Sequence, residues 1–166
     1  KIQASVIVAV ILVAVIAGGY YYWTTTQKPI KSATVFAPRT EIVTNLMIGV
    51  VFSINVSVRN VVDVHNWTFS LSFDPAVLKT VEINEGDFLK AAGGATTFNP
   101  GTIGNGVIED FSSTLTDTRA ATSGNGTLAT IAFNTTKDIG FCPLTLKNVK
   151  LLNTQGQPTP CEVVSG

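Results

Sequence analysis

The chain has 166 residues, with 11 basic and 11 acidic side chains, a single histidine and two cysteines. A net charge of zero gives no basic surface for nucleic-acid binding. So few cysteines and histidines leave too little material for a structural zinc site or an iron–sulfur cluster. The apolar residues are concentrated at the start, because only four of the 22 residues from Ile2 to Trp23 are not apolar. The composition therefore predicts a membrane-type segment joined to a polar head.

Residues 1–27 are predicted to form one apolar helix. A helix of 20 residues is about 30 Å long, which is the thickness of the hydrocarbon core of a bilayer. The three tyrosines of Tyr20–Tyr22 and the following Trp23 are typical of a membrane–water boundary. We expect residues 28–32 to be a linker and residues 33–166 to be the head. Segment 31–45 either begins the head or pairs with a neighbouring subunit by strand addition.

Three interpretations fit the apolar segment: a removed signal peptide, a single-span membrane anchor, or the helix of a filament subunit. The layout, with no initial Met and an apolar run from Ile2, resembles type IV pilins, particularly archaeal ones. Bacterial pilins usually carry Glu at the fifth position, where this chain has Ser5. The resemblance implies a subunit that is inserted in the cytoplasmic membrane before assembly and then forms a homopolymer through its helices. The filament-core residues would be Ile2, Val6, Ile7, Val10, Ile11, Val13, Ala14, Ala17, Tyr20 and Tyr21.

Two segments of the head alternate between apolar and polar residues. These are Phe52–Arg59 and Asn66–Phe73, and period-2 alternation predicts strands with one dry and one wet face. Asn60–His65 is the expected connection between them, and Asp74 is expected to open a turn at Pro75 by accepting bonds from nearby backbone N–H groups. The predicted sandwich core comprises Phe52, Ile54, Val56, Val58, Trp67, Phe69, Leu71, Phe73, Ile131 and Phe133.

Further short strands are predicted between glycine- and proline-rich turns. The fold class is therefore mainly β: a long N-terminal apolar α-helix followed by an antiparallel jelly-roll or immunoglobulin-like β-sandwich. The additional strand candidates are Ala33–Phe36, Val81–Asn84, Thr96–Asn99, Val107–Ser112, Leu128–Phe133, Leu144–Leu152 and Glu162–Val164.

Three stretches of the head resemble cohesin-like domains, over about residues 33–155. Trp67–Leu78 matches the family's strand followed by aromatic-Asp-Pro-x-x-Leu, and Glu85–Leu89 follows at a suitable spacing. Gly124–Phe133 is similar to the family's Gly-x-Gly-x-Leu-Ala-x-Ile-x-Phe strand. The resemblance implies a jelly-roll sandwich related to carbohydrate-binding modules. The best-known role of such domains is attachment to dockerins, but no motif assigns dockerin contacts here.

The two cysteines and four sequons are the candidate modification sites. A disulfide between Cys142 and Cys161 would join the C-terminal segment to the sandwich and contribute about 3 kcal/mol; two buried free thiols are the alternative. Sequons for N-linked glycans occur at Asn55, Asn66, Asn125 and Asn134.

No catalytic motif is present, and the sequence predicts neither an enzyme nor a cofactor or metal. Glu109, Asp110 and Asp117 are the carboxylates nearest to a calcium site, but adjacent residues of a strand point to opposite faces. His65 is interpreted as an ordinary surface histidine. The leading hypothesis is the structural subunit of an extracellular pilus-like filament for adhesion to a surface glycan or protein. The alternative is a single-span membrane-anchored module that binds a protein or carbohydrate partner.

Overall fold

The described residues form a sandwich of two β-sheets. In this computed structural model they are residues 32–37, 48–137 and 142–165. The chain divides into two units, Lys1–Lys31 and Ser32–Gly166, and all described residues belong to the second. The described strands are β1 Thr34–Phe36, β2 Val51–Val64, β3 Asn66–Ser72, β4 Leu78–Glu85, β5 Thr96–Asn99, β6 Thr102–Ile103, β7 Val107–Leu115, β8 Thr122–Thr135, β9 Thr145–Leu152 and β10 Glu162–Val164, with a 3₁₀ turn at Lys90–Ala92.

The first sheet has the strand order β10-β1-β2-β8-β4, and the second has the order β5-β7-β3-β9 with β6 also paired to β7. The two long strands β2 and β8 are antiparallel and form the centre of the first sheet. In the second sheet β3 lies between β7 and β9 and is antiparallel to both. Both alternating segments of the sequence therefore form strands, one in each sheet.

The core lies between the two sheets because the apolar positions of each strand point inward. Nine of the ten predicted core residues are buried. The tenth, Phe52, is half-buried and packs with its ring 6.2 Å from that of Phe133. On the second sheet the rings of Phe69 and Phe111 are 4.0 Å apart, and that of Trp67 meets Phe111 edge-on at 6.0 Å. These aromatic rings pack together as an aromatic layer on the core side of β3 and β7.

The turn between β3 and β4 forms as predicted. The side-chain oxygen of Asp74 accepts a hydrogen bond from the Ala76 N–H at 2.8 Å, and its carbonyl accepts bonds from Val77 and Leu78. Because Pro75 has no N–H to offer, the Asp74 side chain reaches the next donor along the chain. This bond fixes the entry to β4.

The predicted connection Asn60–His65 is wrong. β2 continues to Val64, and only His65 separates it from β3. Two β-bulges in β2 explain the difference, since Asn60 and Asp63 take positive φ values of 54° and 56°. Each bulge inserts one extra residue, so the polar residues of this stretch loop out while the strand continues.

Two parts of the predicted fold class need correction. The described chain is all-β and contains no α-helix, and no helix among the described residues is long and apolar enough to cross a membrane. The predicted helix 1–27, with its ten filament-core residues, lies outside the described residues. The sandwich is also not purely antiparallel, because β1 pairs with β10 in parallel. A parallel pair needs a long crossover, and here most of the domain lies between the two strands.

Candidate interaction face

The outer surface of the second sheet is polar, and we call it the polar face. Trp67, Phe69 and Leu71 of β3 are buried, so the residues between them lie on the opposite side of the sheet. There Thr68 is half-buried and Ser70 is only 4% exposed. The same alternation applies to the neighbouring strands. The polar face consists of Thr97 and Asn99 from β5, Ser112 and Thr114 from β7, Asn66, Thr68, Ser70 and Ser72 from β3, and Thr145, Lys147 and Lys150 from β9.

The strand register places these side chains in rows across the sheet. One row runs from Lys150 through Thr68 and Ser112 to Asn99, which are direct cross-strand partners. The two central positions carry only small hydroxyl side chains. A partner can therefore approach close to the backbone of β3 and β7, with hydroxyl groups available as donors and acceptors.

A β-bulge flanks Ser70 on each side. On β7, Glu109 and Asp110 are both opposite Ser70, and Asp110 takes a φ of 50°. The Asp110 N–H donates a hydrogen bond to the Ser70 Oγ at 3.2 Å. On β9 a second bulge follows Lys147, with Asn148 at a φ of 53°. Bulges change the direction of nearby side chains, and here they bring charged residues beside the small Ser70.

The carboxylate of Glu85 joins the two sheets at the end of β4. Glu85 is the last residue of β4, and its side chain is only 9% exposed. It accepts hydrogen bonds from Ser113 Oγ on β7 at 2.5 Å and Thr96 Oγ1 on β5 at 2.9 Å, and Lys90 Nζ lies 3.1 Å away. Burial by itself raises the pKa of Glu85, but the bonds from Ser113, Thr96 and Lys90 outweigh it and hold the pKa below its ordinary value.

Replacing Glu85 with glutamine should destabilise the domain at neutral pH by about 1–3 kcal/mol, because the amide cannot accept these bonds as a charged group. A carboxyl whose pKa is lower in the folded than in the unfolded state stabilises the fold above its unfolded pKa, and that stability is lost as pH falls through the folded pKa. The wild type should thus lose stability below about pH 4.5, the ordinary value, and Glu85→Gln should lose less. Urea unfolding at neutral and acidic pH measures both, with the exposed Glu82→Gln as control. Identical acid profiles for all three proteins would contradict the role of Glu85.

The four predicted glycosylation sites differ in their environments. Among the described residues, the exposed Asn55 and Asn125 form hydrogen bonds through Oδ1 alone, which accepts from Thr130 Oγ1 at 2.9 Å and from the Asn60 N–H at 2.8 Å, respectively. The Nδ2 of Asn66, in contrast, donates to Thr114 Oγ1 and Ser113 O. Asn134 has a buried Oδ1 without a hydrogen-bond partner among the described residues. N-linked glycans stay a prediction, with Asn55 and Asn125 as the better acceptors.

The predicted disulfide is corrected, because Cys142 and Cys161 are free thiols. Cys142 is buried, and its Sγ accepts a hydrogen bond at 3.1 Å from the Asp74 N–H. Cys161 precedes β10, which begins beside Thr34 and therefore at the level of Arg59 on β2. The Asp74 turn, and Cys142 with it, lies near the N-terminal end of β2. About seven or eight residues of β2 at ~3.3 Å each separate that end from the level of Arg59 and Cys161, which is a distance of roughly 25 Å. Burial raises the pKa of both thiols.

The remaining candidates do not converge. Glu109, Asp110 and Asp117 are exposed, and Asp117 Oδ1 accepts a bond from the Arg119 N–H in its own turn. The described residues contain no cluster of three potential metal ligands. The Nδ1 of His65 lies 2.8 Å from the Ala120 carbonyl oxygen, which indicates a structural role between loops.

A crevice of about 320 Å³ lies beside the turns that follow β3 and β6. Its lining includes Phe73, Pro75, Leu78, Ile103 and Gly106, and Lys79 is its only titratable residue. This crevice offers no pair of groups for acid–base chemistry.

The sequence indicated the wet side of β3 but not the polar face as a site. The missed residues are chiefly Lys147 and Lys150, because the predicted strand Leu144–Leu152 shows no clear alternation. The bulge at Asn148 breaks the period of β9, so the two lysines are three residues apart although they share one face. Asn is one of the few residues that adopt positive φ readily, so the Asn148 residue type within the predicted strand is the sequence signal that a search for bulges could use.

Fold and face together define a β-sandwich module that presents one polar sheet surface to solvent. The cohesin domain family matches residues 43–157, which is more than half of the chain, and the chain therefore belongs to the cohesin family. No curated protein sequence matches it significantly.

Three solved cohesins illustrate the structural similarity. A non-cellulosomal cohesin from Archaeoglobus fulgidus has a TM-score of 0.59 at 19% identity, over 82% of this chain and 88% of that one. The second type II cohesin module of the ScaA scaffoldin of Acetivibrio cellulolyticus has a TM-score of 0.67 at 15% identity, over 82% and 89%. The type I OlpA cohesin of Clostridium thermocellum, in complex with the dockerin Doc918, has a TM-score of 0.63 at 16% identity, over 82% and 96%. At these identities the similarity establishes the fold.

Proposed function

We propose that this chain is an extracellular or cell-surface attachment module that binds the dockerin module of another protein through the polar face. Membership in the cohesin family supports the class of partner. Two of the similar structures, from Acetivibrio cellulolyticus and Clostridium thermocellum, are complexes of a cohesin with a dockerin. The role is attachment and involves no catalysis.

The observation that carries the choice of surface is the row of small hydroxyl side chains at the centre of the polar face. Thr68 and Ser112 are direct partners on the two central strands, and neither has a bulky neighbour in its row before Lys150. A face with many adaptable hydrogen-bonding groups and charged edges is suited to binding a specific protein surface.

The described surface favours a protein partner over a carbohydrate. Sugar rings usually stack on exposed aromatic side chains, and none of the described aromatic residues is exposed. Even Phe36, Phe52 and Phe98 are half-buried, and the only described tryptophan, Trp67, is in the core. The hydroxyl groups of the polar face offer hydrogen bonds without a stacking platform.

The pilin interpretation gains no support from these comparisons. The family match begins at residue 43, whereas the resemblance to pilins rests on residues 1–27, which lie outside the described residues. The alternative interpretation, a module that binds a partner, agrees better with the family.

The double variant Thr68→Arg/Ser112→Arg should abolish dockerin binding, with at least a hundredfold loss of affinity. Two long charged side chains at the centre of the row would hold a partner away from the sheet and leave its polar groups desolvated without bonds. Biolayer interferometry of the full-length protein against a panel of dockerins, including those of the two complexes above, measures this loss.

A matched control is Asn55→Arg/Thr130→Arg, which changes a pair of direct partners on the two central strands of the first sheet. This control should bind as the wild type does. If the control variant loses binding and the polar-face variant keeps it, the proposed face is wrong. If the wild type binds no dockerin in the panel, the proposed function itself is wrong.

A further inference from the structure

The charges on the polar face and at the adjoining β7 bulge are separated by strand. Lys147 and Lys150 lie on β9, Glu109 and Asp110 lie on β7, and β3 between them carries only uncharged polar groups. Because neighbouring strands are about 4.8 Å apart, the positive and negative sides are separated by roughly 10 Å. The outer face of the first sheet differs, since Lys79 and Glu82 are both on β4.

All four charged side chains are exposed and available to a partner. The one ion pair within residues 32–37, 48–137 and 142–165 joins Lys90 and Glu85, so none of the four is paired there. At about 10 Å across a solvated surface, the two signs attract each other only weakly at physiological salt. Their fields are therefore not cancelled within the domain.

The two bulges hold this separation in place. The bulge of β7 at Asp110 and that of β9 at Asn148 flank the same stretch of β3, Phe69–Ser70. Both contain a non-glycine residue with positive φ, of 50° and 53°. Such residues are uncommon, and two of them, beside the adjacent β3 positions Ser70 and Phe69, set which charged residues lie beside Ser70.

We propose that the partner protein bears a matching pair of opposite charges, with carboxylates over Lys147 and Lys150 on β9 and a basic side chain over Glu109 and Asp110 on β7. This inference rests on the proposed function and adds the charge and orientation of the partner. The uncharged polar side chains of β3 can form hydrogen bonds with a partner in either orientation, whereas the separated charges favour only one of the two. A partner turned by 180° would place like charges together.

The test is to reverse one side and measure binding of the dockerins that the wild type binds. Lys147→Glu/Lys150→Glu should weaken binding about tenfold or more at low salt, mainly through a slower association rate, and high salt should reduce the difference. Glu109→Gln/Asp110→Asn should weaken binding less, since it only neutralises charge; asparagine tolerates the positive φ of Asp110. Lys79→Glu/Lys137→Glu changes the net charge equally at exposed positions away from the polar face and should leave binding near wild type.

The outcomes separate this inference from the proposed function. If the lysine reversal changes binding no more than the Lys79/Lys137 control, while Thr68→Arg/Ser112→Arg still abolishes binding, the charge match is wrong and the binding face stands. Stronger binding after reversal would show the opposite polarity and also overturn the inference. If no dockerin binds the wild type, the proposed function is wrong, and this inference, which rests on it, is wrong as well.

Discussion

Replacing Phe111 with alanine should destabilise the domain by about 3–5 kcal/mol, the usual range for a fully buried phenylalanine. Phe111 is 0% exposed and lies directly under the polar face, with its ring 4.0 Å from Phe69 and 6.0 Å from Trp67. Truncation removes buried apolar area and both aromatic contacts, and leaves a cavity that the two packed sheets cannot fill. A loss of this size is a large fraction of the 5–15 kcal/mol of an ordinary domain.

Urea unfolding of the full-length protein, followed by tryptophan fluorescence, measures this loss. The matched surface control is Val62→Ala, because Val62 is 65% exposed and its truncation should cost no more than about 0.5 kcal/mol. Similar small losses for both variants would mean that the aromatic layer contributes little to stability, contrary to the packing described here.

The strands of the head can be predicted from the sequence because each of them buries only one of its two faces. Phe52–Arg59 and Asn66–Phe73 alternate without a break, and the structure forms β2 and β3 from them with the expected residues inward. A half-buried strand imposes a period of two on its own side chains. That signal is local, so a single sequence is enough to detect it.

The end of β2 was not predictable by the same rule because the apolar period changes from two to three. Val58, Val61 and Val64 are all buried and pair with Gly126, Gly124 and Thr122 of β8. Between one buried valine and the next, β2 therefore advances by three residues while β8 advances by two. The extra residues loop out, and β8 side chains bond their N–H groups: Asn125 Oδ1 accepts from Asn60, and Ser123 Oγ accepts from Asp63. These partners are about 60 residues away in the chain.

The polar face was only partly predictable for a related reason. Alternation shows that Thr68 and Ser70 lie on the side of β3 opposite the core, but it does not show which strands lie beside them. The separation of charges depends on β9 and β7 being the two neighbours of β3, and on bulges at Asn148 and Asp110. Strand order and bulge position are properties of the assembled sheet, and no window of the sequence contains them.

Gly86→Ala should be among the most damaging single substitutions in the described chain, with a loss of roughly 3 kcal/mol or more. A Cβ atom at Gly86 would lie 2.0 Å from the carbonyl oxygen of Thr127, far inside van der Waals contact, and the obstacle is backbone that cannot rotate away. Gly86 N–H donates to Leu128 O at 2.8 Å and Phe88 N–H to Thr127 O at 3.0 Å. Moving the segment away from β8 would break both bonds.

The consequences of that displacement would extend to both sheets. Phe88 and Leu89, which are 2% and 1% exposed, lie two and three residues after Gly86 and would be drawn out of the core. Glu85 precedes it and would lose its bonds to Ser113 and Thr96. Gly94→Ala is the matched control, because its new Cβ would meet only the Leu115 Cδ2 at 3.4 Å, an ordinary contact. Chemical denaturation should therefore separate the two alanine variants widely; equal midpoints would mean that the segment after β4 does not lie against β8 as closely as the structure shows.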